Sequence, residues 1–392
     1  METVIVIGCD GYIGHALTLR LLELGYRVIG IDDYQRRKHV QEEMQSFSAL
    51  EIEDPEFRHS KFKYIFGKDK FEFFSFNIEH EVSDLQGILE EVKNPVAIVN
   101  LAQQPSAPFS LKSEIHAIDT TVNNLIGTLN VLYCAKWHCP DTHIIQIGSM
   151  GEYDHAAGTD IPEGTFDLEF KGRTAPNVIF PRRPGSFYHA SKVASTYYMD
   201  CACRWWGLTA TDIMQGVVYG NWTPEIEKYG SNTRLDSDEC FGTVVNRFVV
   251  QTVLGEPMTI YGEGAQKRGY LGINDSVQCL VLAIQNPPVK GQYRTWNQLD
   301  TTHSIGEIAN IVWEIGNNYD LKPEMKKIPT PRVEKTTPFH YNVYTDKLKT
   351  LGFEPTRKIK DDVEWTLRQL LPYKDELYPL RNVVMPEIKW RD

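Results

Sequence analysis

The stretch SFYHASK, Ser186 to Lys192, places a tyrosine and a lysine four residues apart, with a histidine beside the tyrosine. On a helix, positions i and i+4 share a face about 5–6 Å apart, near enough for the Lys192 ammonium to lower the pKa of the Tyr188 phenol. A phenol that ionises near neutrality is a general base for an alcohol. The same spacing also suits any amphipathic helix with a solvated lysine, so the chemistry depends on what else reaches Tyr188. Ser149, at the end of the apolar run THIIQIGS (Thr142 to Ser149), offers a hydroxyl. Ligands of open α/β sheets bind at the C-terminal ends of the strands, where this serine would stand. Ser149, Tyr188 and Lys192 would then form a site that takes a proton from an alcohol while hydride leaves its carbon for a nicotinamide.

The elements that position these residues begin at the N-terminus. In METVIVIGCDGYIG a short apolar run enters glycines 8, 11 and 14; HALTLRLLELG follows with leucines at helical spacing, and YRVIGIDD then reads as a second strand ending in Asp32. Strand, glycine turn, helix, strand and terminal acid make a dinucleotide-binding unit. The glycines admit a pyrophosphate at the helix N-terminus, and the acid accepts hydrogen bonds from the adenosine ribose. Asp32 would repel a 2′-phosphate and so favours NAD over NADP, whereas the cations of QRRK, Gln35 to Lys38, argue the other way. The acid carries more weight because it sits where the ribose must lie.

PVAIVNLA (Pro95 to Ala102) and THIIQIGS read as further strands, separated by the helical TTVNNLIGTLNVLYCAKWH. Alternating strands and helices predict an α/β fold with a doubly wound parallel sheet of Rossmann type. A net charge of −11 argues against a nucleic-acid partner. The seven scattered cysteines have no zinc-like spacing, predict no metal site and suit a reducing cytoplasm. No segment reads as a membrane span or secretory signal.

In this order, GxxGxxG, NLAQ, NNLIGT, the strand-end Ser149 and YxxxK resemble the extended short-chain dehydrogenase/reductase family. The resemblance implies a Rossmann domain over 1–215 with a return segment near 243–285, and a smaller C-terminal α/β domain, mainly 216–392, that binds a nucleotide sugar. It implies NAD contacts from Gly8, Gly11, Tyr12, Ile13 and Gly14 at the turn, and from Asp32, Asp33, Tyr34, Gln35 and Arg36 at the ribose. Asn77 and Ile78 would meet the adenine, and Leu101, Ala102, Gln103, Asn124, Gln215 and Val218 would join Ser149, Tyr188 and Lys192 around the rest. For the sugar nucleotide it implies Ser149, Tyr188, Gln215, Arg234, Thr243, Asn246, Gln266, Arg268 and Arg332. A guanidinium such as that of Arg268 suits a diphosphate through paired hydrogen bonds.

The family's 4,6-dehydratases carry an aspartate and a glutamate after the residue matching Ser149, but SMGEYD has Met150 and Gly151. Strings such as SAPFS, MGEY, TDIMQGVVYG, TRLD, FGTVVNRF and PRVE are similar to a branch that makes a sulfonated sugar nucleotide from UDP-glucose and sulfite. Against that branch, Ser149 replaces a threonine, Asn77 an aspartate and Pro105 an arginine. In that chemistry C4 is oxidised, water is lost to a 4-keto-5,6-ene, sulfite adds at C6 and C4 is reduced again. Glu152 and His189 are then the candidates to move the C5 proton and the 6-hydroxyl, because each adjoins an anchored residue and titrates usefully. The plainer alternatives are a partner for a backbone N–H and a solvated helix histidine. A UDP-sugar 4-epimerase or 4,6-dehydratase shares the fold and NAD, and a noncatalytic nucleotide-binding protein would usually lack Tyr188 or Lys192. The resemblance also implies a homodimer or a multiple of one, with sulfite arriving free or from a delivering protein.

Overall fold

The computed structural model describes residues 1–153, 160–330 and 342–387. Seven strands form one sheet: β1 (Thr3–Ile7), β2 (Arg27–Ile31), β3 (Phe71–Phe74), β4 (Ala97–Asn100), β5 (His143–Ser149), β6 (Thr209–Gln215) and β7 (Tyr293–Gln298). Their order is β3-β2-β1-β4-β5-β6-β7, and every pairing is parallel. The order reverses between β1 and β4, which opens a crevice at their C-terminal ends.

Alternation along β1 builds both faces of this sheet. Val4 and Val6 pack on one face with Leu17 and Leu21 of α1 (Tyr12–Glu23), while Ile5 and Ile7 pack on the second face with Val131 and Leu132 of α2 (Glu114–His138) and Met199 of α3 (Phe187–Trp206). Helices α2 and α3 pack side by side on that second face. Ser186 starts α3 by accepting the His189 N–H at 3.2 Å, and Gly207, in the left-handed region at φ 70°, ends it. Tyr188 is thereby fixed in the first turn, beside the end of β5.

A separate core joins α4 (Val244–Leu254), α6 (Ile305–Asn318) and α7 (Ile359–Leu370) through Val245, Val249, Ile308, Val312, Val363 and Leu367. The expected return at 243–285 is placed differently. Helix α4 belongs to this second core, whereas α5 (Ile273–Gln285) packs on α1 and β7 completes the sheet. The chain returns at 273–298 because Val277, Leu280 and Trp296 face the sheet core, while the apolar face of α4 turns the other way. No helix among the described residues is long and apolar enough to cross a membrane.

Candidate active site

A cavity of about 780 Å³ runs along the strand ends from the glycine turn to the second core. At its first end, a side chain on Gly8 (φ +86°) would lie 2.7 Å from the backbone of Leu101 and Ala102, and one on Gly14 only 2.0 Å from the Gly8 carbonyl. Helix α1 begins at Gly11 with no side-chain cap, so its first N–H groups remain as donors for a pyrophosphate. Asp32 accepts the N–H of Asp10 and that of Tyr34, both at 2.8 Å. Burial, and then the nearby Asp10, push its pKa up to about 7.

Both arginines of QRRK are engaged by protein carboxylates, and its lysine, Lys38, is exposed and does not line the cavity. Arg37 grips Asp10 at 2.6 and 2.9 Å, and Arg58 adds a bond to the same carboxylate at 2.7 Å. Arg36 pairs with Asp236 at 2.9 Å, and its guanidinium lies 3.9 Å over the Phe241 ring. The argument for a 2′-phosphate therefore loses its two guanidinium groups, and the residues present fit NAD. Asn77 donates to Asp33 at 2.8 Å, and both line the cavity with Ile78, Gln35, Tyr12 and Ile13. Two expected cofactor residues do not line it. Tyr34 turns its ring onto Phe73, and Asn124 donates to Ser191 and to the Gln104 carbonyl, bracing α3 against the loop after β4.

Ser149, Tyr188, His189 and Lys192 converge midway along the cavity, with Gln103, Leu101, Ala102, Gln215 and Val218 around them. The buried Lys192 amine donates to the Gln103 side chain and, at 2.8 Å, to the Ile147 carbonyl. Burial lowers its pKa to about 8, against the pull of Glu152 and Asp212. The expected lowering of Tyr188 is not what the chain alone provides: burial, then Glu152, raise the phenol, and a hydrogen bond with Ser149 opposes them. The Lys192 nitrogen sits 5.8 Å from the Tyr188 ring centre, directed at Gln103 and Ile147.

Glu152 lies behind Ser149 and does not line the cavity. The turn Met150–Glu152 folds its carboxylate back, so that one oxygen accepts the Ser149 N–H at 2.8 Å and the other pairs with Arg182 at 2.9 Å. It is fully buried, and burial lifts its pKa to about 7 although Arg182 pulls it down. His189 does line the cavity, with its Nδ1 2.9 Å from the Ser186 hydroxyl.

The far wall belongs to the second core. Thr243, Gln266 and Arg268 line it. Arg234 does not, because it is buried in a two-point pair with Asp236 at 3.0 and 3.2 Å. Asn246 is also absent, since its side chain accepts the Gly220 N–H at 2.9 Å. Arg332 lies outside the described residues. Sequence reasoning passed over Arg247, one turn into α4 and 6% exposed, which lines the cavity while its Nε finds no hydrogen-bond partner among the described residues. The signal was the lone charge inside VVNRFVVQTVL, a buried helix whose other residues are apolar or uncharged.

The sequence pattern of the NAD dependent epimerase/dehydratase family matches residues 4–297. The chain is 39% identical to a UDP-sulfoquinovose synthase of Sulfolobus acidocaldarius, over 99% of its own length and 97% of that protein's. It is 35% identical to the chloroplastic UDP-sulfoquinovose synthase of Spinacia oleracea, over 100% of this chain and 79% of that one. The chain belongs to the UDP-sulfoquinovose synthase family. The synthase family's fold is shared by a UDP-glucuronic acid 4-epimerase from Bacillus cereus in complex with UDP-glucuronic acid and NAD (TM-score 0.68, 19% identity, 96% of this chain and 100% of that one). A UDP-glucose 4-epimerase from Thermotoga maritima with UDP-glucose gives a TM-score of 0.67 at the same identity and coverage.

Proposed function

We propose that the protein converts UDP-glucose and sulfite to UDP-sulfoquinovose with NAD as a recycled cofactor. The observation that carries this is the meeting of Ser149, Tyr188, Lys192 and His189 in one cavity, with Met150 and Gly151 in place of an acid pair. The glycine turn and Asp32 would hold NAD, whose nicotinamide would supply a reversible hydride acceptor for C4 of the sugar. Tyr188 takes the 4-hydroxyl proton, Ser149 holds that oxygen, and Lys192 supplies the positive charge that favours the phenolate. The 4-ketone then acidifies the C5 proton; its removal and departure of the 6-hydroxyl as water leave an alkene conjugated to the ketone. Sulfite adds at C6 and C5 regains a proton. His189 is the group at the cavity wall able to move these protons. Glu152 acts as a positioning residue that fixes the backbone of Ser149.

Arg247 and Arg268 form the wall that takes the diphosphate, with Thr243 and Gln266 beside them. The same reading includes assembly. Ile115, Ile118, Val122, Ile126 and Trp137 leave an exposed apolar stripe along α2, and Tyr197 and Trp205 extend it on α3, a face that fits a second copy. Light scattering is expected to give a dimer or a multiple of one, and a strict monomer at micromolar concentration would contradict it. All seven cysteines are free, which accords with a reducing cytoplasm.

The test follows reduced NAD by its absorbance. UDP-glucose alone should build it up, and sulfite should then discharge it as product forms. A 4-epimerase has no use for sulfite, so an absorbance indifferent to sulfite would sink the synthase reading.

A further inference from the structure

Gly151 has no backbone reason to be glycine. It lies in the turn Met150–Glu152 and is absent from the positive-φ positions, so any residue could adopt its conformation. The space around it is another matter. A Cβ built on Gly151 would lie 2.1 Å from Nε2 of His189, 2.5 Å from Cδ2 and 2.8 Å from Cε1. Those atoms belong to a rigid ring whose far side is tied to the Ser186 hydroxyl, itself the cap of α3. The imidazole therefore cannot retreat without giving up that tie. Gly151 also donates its N–H to the Ser149 hydroxyl at 3.1 Å, so one residue touches both the serine of the hydride step and the histidine beside it.

We propose that Gly151 is a positioning and specificity-determining residue: its missing side chain is the seat of the His189 imidazole. A side chain at 151 and the observed imidazole at 189 compete for one volume, so residue 151 decides whether a proton-moving group on α3 can stand at the cavity wall. This rests on the proposed role of His189 in water loss and sulfite addition.

The test uses the NAD-containing protein with Gly151→Ala, His189→Ala and the double variant, reading reduced NAD after UDP-glucose and then sulfonated product. Gly151→Ala should keep the first reading and lower the second by about 100-fold or more, the loss typical of a general acid or base. The double variant should be no worse than the poorer single variant, because both changes remove one function. Free imidazole should restore His189→Ala, whose seat is empty, and should fail with the double variant, whose methyl group intrudes on the seat. A glycine needed only for folding would not produce that difference, and the imidazole comparison stands even if Gly151→Ala alone does not fold. Normal product from Gly151→Ala while His189→Ala stalls would overturn this proposal and leave the role of His189 intact. Normal product from His189→Ala would overturn both. Equal rescue of His189→Ala and the double variant, or rescue of neither, would also overturn the seat.

Discussion

The two walls of the cavity differ in how their key groups are held. On the sheet side the functional groups are already bonded to one another: Lys192 to Gln103 and Ile147, Ser149 to Gly151 and Glu152, and Glu152 to Arg182. On the far wall, Nε of Arg247 and the hydroxyl of Thr243 are buried without hydrogen-bond partners among the described residues. A preorganised wall lowers the barrier of a reaction, since its dipoles need not reorient as charge develops. An unpaired cation and hydroxyl instead wait for a ligand, because leaving them unmet costs free energy that a bound anion recovers. The sheet side should therefore govern turnover and the far wall affinity.

Substitutions can break that division. Tyr188→Phe should give the largest effect, lowering both reduction of bound NAD by UDP-glucose and product formation by about 10²–10⁴-fold, with UDP binding kept. Loss of UDP affinity in parallel with rate would erase the distinction between the walls. Glu152→Gln should show in thermal unfolding, because it keeps an acceptor for the Ser149 N–H but leaves the Arg182 charge buried and unpaired, at about 3–5 kcal/mol. Unchanged stability would mean that the pair contributes nothing.

A pair of arginines sharpens the comparison. Arg247→Met should weaken UDP binding by about 1.5–3 kcal/mol, the range for a hydrogen bond to a charged group, with turnover at saturation nearly unchanged. Arg234→Met should spare UDP affinity and lower stability instead, because its partner is Asp236. Calorimetric titration with UDP that ranked them the other way would reverse the assignment.

At the cofactor end, Asp32→Ser should relax the preference for NAD over NADP by about tenfold or more, from the loss of a like-charge repulsion of ~1–4 kcal/mol. Equal binding of the two by the unaltered protein would contradict it. The last effect concerns acid. His143 is buried against Thr211 at 2.8 Å, and burial lowers its pKa to about 3. The unfolded chain takes up this proton below about pH 6.5 and the folded chain does not, so the contribution of His143 is full above that pH and is lost as pH falls. Against His143→Gln, the native protein should lose about 1.4 kcal/mol per pH unit between roughly pH 6 and 4. Parallel curves for the two would exclude it.

What the sequence disclosed follows the same division. Glycines 8, 11 and 14, Asp32, Ser149 and the Tyr188 to Lys192 pair are set by local spacing on a strand, turn or helix, and local spacing can be read along the chain. Arg234 and Arg247 differ by Asp236, two residues after Arg234, but in a segment without regular structure that spacing alone does not tell whether the two side chains meet. Glu152 was a candidate to move protons, but the local Ser149-x-x-Glu152 capping box folds its carboxylate back onto the Ser149 N–H, and Arg182, thirty residues on, holds the other oxygen. The last strand, YRTWNQ, escaped notice because its polar residues are buried in hydrogen bonds, Gln298 to Gln215 and to the Asp275 carbonyl among them.

The most direct measurement of the central claim is the mass of the product formed from UDP-glucose and sulfite by the purified protein. The account predicts a UDP-sugar carrying a sulfonate where the 6-hydroxyl had been, formed without net consumption of NAD. A UDP-sugar of unchanged mass, or one lighter by a water and free of sulfur, would contradict it.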